Sequence, residues 1–171
     1  MAGMLINPGG ESDRESIRLA TSKNTLIPNF RRGERTPAAL KEAMKLALDG
    51  HPDRRLRSLT SKYNCIGMAF ANRRTCIEPD YVPLILREDE YEEIALYADV
   101  LPGDLVIYHD AYGDVSHVAV AVSNEPDLTS GGSNIRVLSQ WGSDGEYLHD
   151  YRDVPPFLGK PVKFYSERRR A

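Results

Sequence analysis

Two cysteines and four histidines carry most of the nucleophilic and near-neutral titratable chemistry of this sequence. Cys65 follows Asn64 and opens the apolar run Ile66, Met68, Ala69, Phe70, so it reads as the first residue of a helix capped by Asn64. At such a point backbone N–H groups and the helix dipole favour a thiolate, and the same N–H groups can receive the oxyanion of a tetrahedral intermediate. A free cysteine is otherwise most often a small buried hydrophobe, the reading that suits Cys76. A thiol nucleophile needs an imidazole within hydrogen-bond reach. His51 lies in a turn beside Pro52, and His109 ends a strand in a polar loop. His117 opens the small apolar run Val118 to Val122, where a base and a satisfied core histidine are equally compatible with position alone. His149 follows Tyr147-Leu148 in a less regular stretch. The grouping His109, Asp110, His117 and His149 fits no standard metal-ligand spacing, so no metal or cofactor is expected.

The elements that must position these residues are legible in outline. Thr36-Pro37 opens a helix whose apolar stripe is Leu40, Met44 and Leu48, and Gly50 is placed to end it. A second helix begins at Cys65. Residues 72–92 are mixed. From residue 94 the texture is β: strands at 105–108, 116–122, 135–141 and 161–165, with turns at Pro102-Gly103-Asp104, Gly131-Gly132 and Gly142 to Gly145. Helices first and an antiparallel meander second predict an α+β fold. Residues 1–35, with Ser12-x-x-Glu15 as a capping-box pattern, are expected to form a loosely packed arm before a domain at 36–171.

At 171 residues, 41% hydrophobic, the chain suits one domain with a core that needs no staples. A net charge of -3 argues against a nucleic-acid partner, and Arg168-Arg169-Arg170 reads as a solvated end. No run approaches a membrane span of ~20 apolar residues, and no stretch reads as a signal peptide, so a cytoplasmic location is the default expectation, with export by a signal-independent route left open.

Three short segments carry a resemblance. Tyr63-Asn64-Cys65-Ile66-Gly67 resembles the Tyr-Asp-Cys-Ser-Gly signature of NlpC-type cysteine peptidases; Leu101 to Val106 resembles their Pro-Gly-Asp-Leu-Val turn and strand; Ser116 to Val120 resembles their Ser-His-Val-Gly-Ile strand. CHAP amidases share this order. The stretch from 63 to about 168 is also similar to an uncharacterised bacterial group reading "NCIAWAL" and later "SKLG", matched here at Asn64 to Ala69, Ser139 to Gly142, Glu146 to His149 and Leu158 to Val162. The resemblance implies a papain-like fold with the Cys65 helix packed on an antiparallel sheet, Cys65 as nucleophile and His117 as base. It implies a peptide, isopeptide or peptidoglycan-like substrate. Asn64 and Ile66 replace the usual Asp and Ser. For the residue that orients His117, Gln140 is preferred on strand geometry and His149 on resemblance to the second group, with Ser139 behind them. Three functions stay open: a peptidoglycan amide hydrolase; a cytosolic peptidase, deamidase or acyltransferase; and a non-catalytic interaction domain.

Overall fold

The computed structural model describes residues 16–129, 131–160 and 162–168. Three helices, α1 (Pro37–Leu48), α2 (Cys65–Phe70) and α3 (Val82–Glu88), accompany seven strands: β1 (Arg55–Ser58), β2 (Glu92–Ile94), β3 (Leu105–His109), β4 (Val115–Asp127), β5 (Gly132–Gln140), β6 (Glu146–Asp150) and β7 (Val162–Ser166). The strands form one sheet in the order β1-β6-β5-β4-β3-β7-β2, and every paired neighbour is antiparallel. The fold is α+β. The Ser12-x-x-Glu15 pattern lies outside the described residues.

The sheet is central because it is covered on both faces. Successive strand residues point to opposite sides, so each strand contributes to two cores. Val106 and Tyr108 of β3, Ala119 and Ala121 of β4, and Val137 of β5 meet Ala47 of α1, Trp141 and Tyr147. Leu105 and Ile107 of β3 and Val118 of β4 meet Cys65 and Ile66 of α2 and Val82, Ile85 and Leu86 of α3. With both faces buried, the strands lose the polar alternation that a one-sided sheet shows.

Helix α1 starts as its local signals require: Thr36 Oγ1 accepts from the Ala39 N–H, Pro37 occupies the first turn, and Gly50 follows the end at φ +70°. Buried Arg54 ties this helix to the loop after β6. It donates to Ala47 O at 2.7 Å, pairs with both oxygens of Asp153, and lies over the Trp141 ring at 4.7 Å.

Residues 16–35 are attached more firmly than a loose arm. Ile27 and Thr21 are buried. Thr21 Oγ1 donates to Glu88 and the Ser22 N–H to Asp89 at the end of α3. Phe30 and Cys76 exchange backbone hydrogen bonds. Arg168, expected as part of a solvated end, pairs with buried Asp104 at 2.9 Å.

Candidate active site

Asn64 builds the start of α2 with both ends of its amide. Its Oδ1 accepts from the Gly67 N–H at 2.8 Å and from the Ile77 N–H at 3.2 Å, and its Nδ2 donates to Ile77 O at 2.7 Å. The cap therefore also clamps the helix to the loop at 71–77. Gly67 is required by the same approach: a Cβ there would fall 1.7 Å from Thr75 O. The glycine two residues after the cysteine thus sets how closely Cys65 is held against its surroundings.

Two residues before Cys65, Tyr63 is anchored to β6. Its hydroxyl donates to Glu146 Oε2 at 2.8 Å, and Arg73 reaches the same fully buried carboxylate with Nε and Nη2 at 2.8 and 2.9 Å. Arg73 itself is 40% exposed. Removing it leaves Glu146 buried with a single neutral donor. Arg73→Ala should therefore destabilise the fold by about 2 kcal/mol, less than a wholly buried pair because water reaches the guanidinium. Arg73→Lys should recover part of this loss. The midpoint of urea unfolding measures both, and an unchanged midpoint in Arg73→Ala would show that Glu146 does not depend on it.

The sulfur of Cys65 sits where β4 parts from β5. The β4–β5 ladder ends at Val120–Leu138, whereas the β3–β4 ladder continues to Tyr108–His117. The Ala121 N–H bonds Asp104 O beside β3, so alternation turns the Val118 N–H the other way. That N–H, with those of Ile66 and Cys65 itself, favours the thiolate, and so does the charge of Arg32. Burial is the larger effect and acts in the opposite sense, raising the Cys65 thiol to about 11. The expectation of a low-pKa, activated thiol is corrected here: α2 has only six residues, so its end offers a weak dipole, and Cys65 is only 7% exposed.

His117 is fully buried on the other face. It is in register with Tyr108, with ring centroids 5.2 Å apart, while its neighbour Val118 packs with Cys65. Neither ring nitrogen has a hydrogen-bond partner, so no Cys65–His117 bond is present. Burial, and then the proximity of His149, lower its pKa to about 3. Thiol and imidazole are both neutral, separated by the backbone of β4.

Neither residue expected to orient His117 does so. His149, on β6, uses both nitrogens elsewhere: Nδ1 faces Asp150 O at 2.8 Å, and a carbonyl only accepts, so Nδ1 carries the proton. Nε2 then accepts from Ser139 Oγ at 2.8 Å, and Ser139 Oγ accepts from Trp141 Nε1 at 3.0 Å. This chain is fully satisfied and fixes the tautomer; burial still lowers the His149 pKa to about 4. Gln140 points to the opposite face, since Ser139 pairs with Tyr147 and Gln140 with Glu146. Its Nε2 donates to Thr60 O at 2.8 Å and Gly142 O at 3.2 Å, and its Oε1 has no partner.

Among the described residues, the buried side-chain polar atoms with no partner are His117 Nδ1, His117 Nε2 and Gln140 Oε1. Buried polar groups are paired in the great majority of cases, so these two unsatisfied side chains call for a reason.

The chain matches no known family model, curated protein or solved structure. Function therefore rests on the site itself. No helix among the described residues is long and apolar enough to cross a membrane. Nor does any group of three or more His, Cys, Asp or Glu side chains gather there for a metal ion.

Sequence reasoning did not single out two grooves. One, of about 830 Å³, lies between α1 and the loop after β6, where Leu46 and Phe157 are exposed, Trp141 and Arg54 contribute, and His51 Nδ1 lies 3.2 Å from Asp153. Cys65, His117, Gln140 and His149 do not line it. The other, of about 510 Å³, is lined by Arg31, Arg32, Glu34, Lys62, Arg73 and Arg74 beside the segment that enters α2. The basic dipeptides 31–32 and 73–74 were the available signal, but only folding brings them together.

Proposed function

We propose that this chain is a papain-like thiol hydrolase in which Cys65 attacks an amide or isopeptide carbonyl and His117 is its general base. The observation that carries the reading is the setting of the thiol at the capped start of α2, where the N–H groups of Val118, Ile66 and Cys65 itself favour its thiolate, with His117, the neighbour of Val118 in β4, holding two unpartnered ring nitrogens. Maintaining unpaired buried polar groups costs about 1–3 kcal/mol each, so a purely structural site would favour apolar side chains there. The resemblance of segments 63–67, 101–106 and 116–120 to NlpC-type peptidases supports the same assignment.

In the reaction, His117 takes the Cys65 proton and the sulfur attacks the carbonyl carbon. The Cys65 backbone N–H stabilises the oxyanion. The tetrahedral intermediate collapses, the C–N bond breaks, and His117 returns the proton to the leaving amine. Water, deprotonated by His117, then hydrolyses the thioester and restores the thiol. Because the ring lies against Tyr108 and the thiol is protonated, this sequence requires substrate to bring ring and sulfur into contact.

The test is acylation by p-nitrophenyl acetate followed by intact-mass spectrometry. An acetyl adduct on Cys65, absent in Cys65→Ala and at least ~100-fold slower to form in His117→Leu, is the expected result. Acylation of Cys76 alone would sink the assignment. Incubation with peptidoglycan sacculi then separates a wall substrate from other amides.

A second reading has its own observation. The larger groove is lined by none of the four site residues, and the thiol and imidazole are closed off. A non-catalytic interaction domain on the same scaffold would look this way, and it predicts no acyl adduct at either cysteine.

A further inference from the structure

The protein carries a net charge of -3, yet the groove beside α2 gathers five cationic side chains, Arg31, Arg32, Lys62, Arg73 and Arg74, against the single carboxylate of Glu34. Four arginines elsewhere pair with carboxylates: Arg35 with Asp144, Arg54 with Asp153, Arg152 with Asp150 and Arg168 with Asp104. In the groove only Arg73 has one, Glu146. Among the described residues, no carboxylate forms an ion pair with Arg31, Arg32, Lys62 or Arg74. Like charges held together repel, and an arrangement of one sign in a concave site concentrates the opposite sign.

The walls of the groove are fixed. Phe30 and Cys76 exchange two backbone bonds, Arg31 Nε donates to Arg74 O at 3.1 Å, and Glu34 is held by the Ser61 N–H and the Thr60 hydroxyl at 2.6 and 2.7 Å. The Glu34 carboxylate is thus engaged locally and does not neutralise the four cations one by one. Position adds a second argument. Lys62 lies on the segment that leads into α2, and the charge of Arg32 is felt at the Cys65 sulfur.

The geometry points to this groove as the subsite that takes an acidic peptide segment, one bearing at least two side-chain carboxylates, and so aligns its neighbouring amide with Cys65. The alignment step rests on the thiol-hydrolase reading; the binding step does not. Peptide is favoured over nucleic acid for two reasons. No aromatic side chain lines the groove to stack a base. Its volume, about 510 Å³, suits a few side chains rather than a phosphate backbone in extended register.

Fluorescein-labelled hexaglutamate, titrated with full-length Cys65→Ala protein in low salt and read by anisotropy, tests it. The expected result is saturable binding that 0.5 M salt abolishes, weakened about tenfold or more in Lys62→Glu/Arg74→Glu. The exposed β1 variant Arg57→Glu should bind as the parent does. Should the double variant not fold by circular dichroism, Lys62→Glu alone carries the same reading with a loss of about threefold. Equal binding by parent and groove variants overturns the proposal, as does tighter binding of hexathymidylate than of hexaglutamate. The protein used lacks the thiol, so a failure here is distinct from a failure of Cys65 to acylate.

Discussion

Lowering the pH from 6.5 to 4 should unfold this protein. His117 and His149 are held neutral in the fold, with pKa values near 3 and 4 in place of 6.5, chiefly by burial. Above pH 6.5 both the folded and unfolded chains leave these rings neutral, and the fold has its full stability. As pH falls below 6.5 the unfolded chain takes up a proton at each ring and the folded chain does not, so the unfolded state is favoured progressively. The slope approaches two protons, about 2.7 kcal/mol per pH unit. Over the window down to pH 4 this amounts to roughly 5 kcal/mol, comparable to the whole stability of an ordinary domain. The carboxylates with lowered pKa values, Glu34, Glu88, Asp150 and Asp153, add to the loss near the bottom of this window and below it, since their ordinary values are 4.5 for Glu and 3.8 for Asp.

Variants separate the two rings. His117→Leu should remove one proton from the slope and raise stability at pH 7 by about 1–3 kcal/mol, because it deletes two buried nitrogens that bond nothing. His149→Leu should remove the other but lower stability at pH 7, since it strips Ser139 Oγ of its acceptor. Urea unfolding between pH 4 and 7.5 measures all three proteins. A flat profile in the parent would mean that the rings are protonated or hydrated in the folded state.

The parts of this fold that local chemistry specifies were legible. Thr36-Pro37 and Gly50 bracket α1, Asn64 caps α2, and the apolar runs at 105–108 and 116–122 become β3 and the first half of β4. The parts that depend on distant partners were not. β6 looked irregular because Glu146 and His149 interrupt it, yet both are satisfied: Glu146 by Tyr63 and Arg73, far back in the chain, and His149 by Ser139. β1 and β2 are the two edge strands, short and mostly exposed, so neither carries an apolar alternation. Residues 16–35 looked like an arm because the contacts that hold them, to Glu88, Asp89 and Cys76, lie some sixty or more and some forty residues on.

The site divides in the same way. That Cys65 opens a helix is local. That its sulfur and the His117 ring end on opposite sides of β4 follows from which face α2 covers, and a strand buried on both faces gives no hint of that. The same two-sided burial decides between Gln140 and His149. Ser139 and Gln140 must face opposite ways, but only the sheet order shows that Ser139 shares the face of His149.

The thiol of Cys65 should be unreactive at neutral pH, and its titration should expose what the site does. With a pKa of about 11, roughly one molecule in 10⁴ carries the thiolate at pH 7, against a few per cent for an unperturbed cysteine. Iodoacetamide should label Cys65 at least ~100-fold more slowly than it labels the urea-unfolded chain, with the rate climbing about tenfold per pH unit from 7 to 10. Cys76, fully buried with its sulfur 3.8 Å from Lys62 O, should be slower still. A labelling rate that is already high at pH 7 and level up to pH 9 would sink the closed-site reading and place a Cys65–His117 ion pair in the resting protein. The decisive arm adds a ligand. If an acidic peptide brings ring and sulfur together, imidazole can take the thiol proton, and a reactive limb should appear near neutral pH in the parent and not in His117→Leu. An alkaline limb that the peptide leaves unmoved would make Cys65 a core residue and His117 its buried neighbour across the strand.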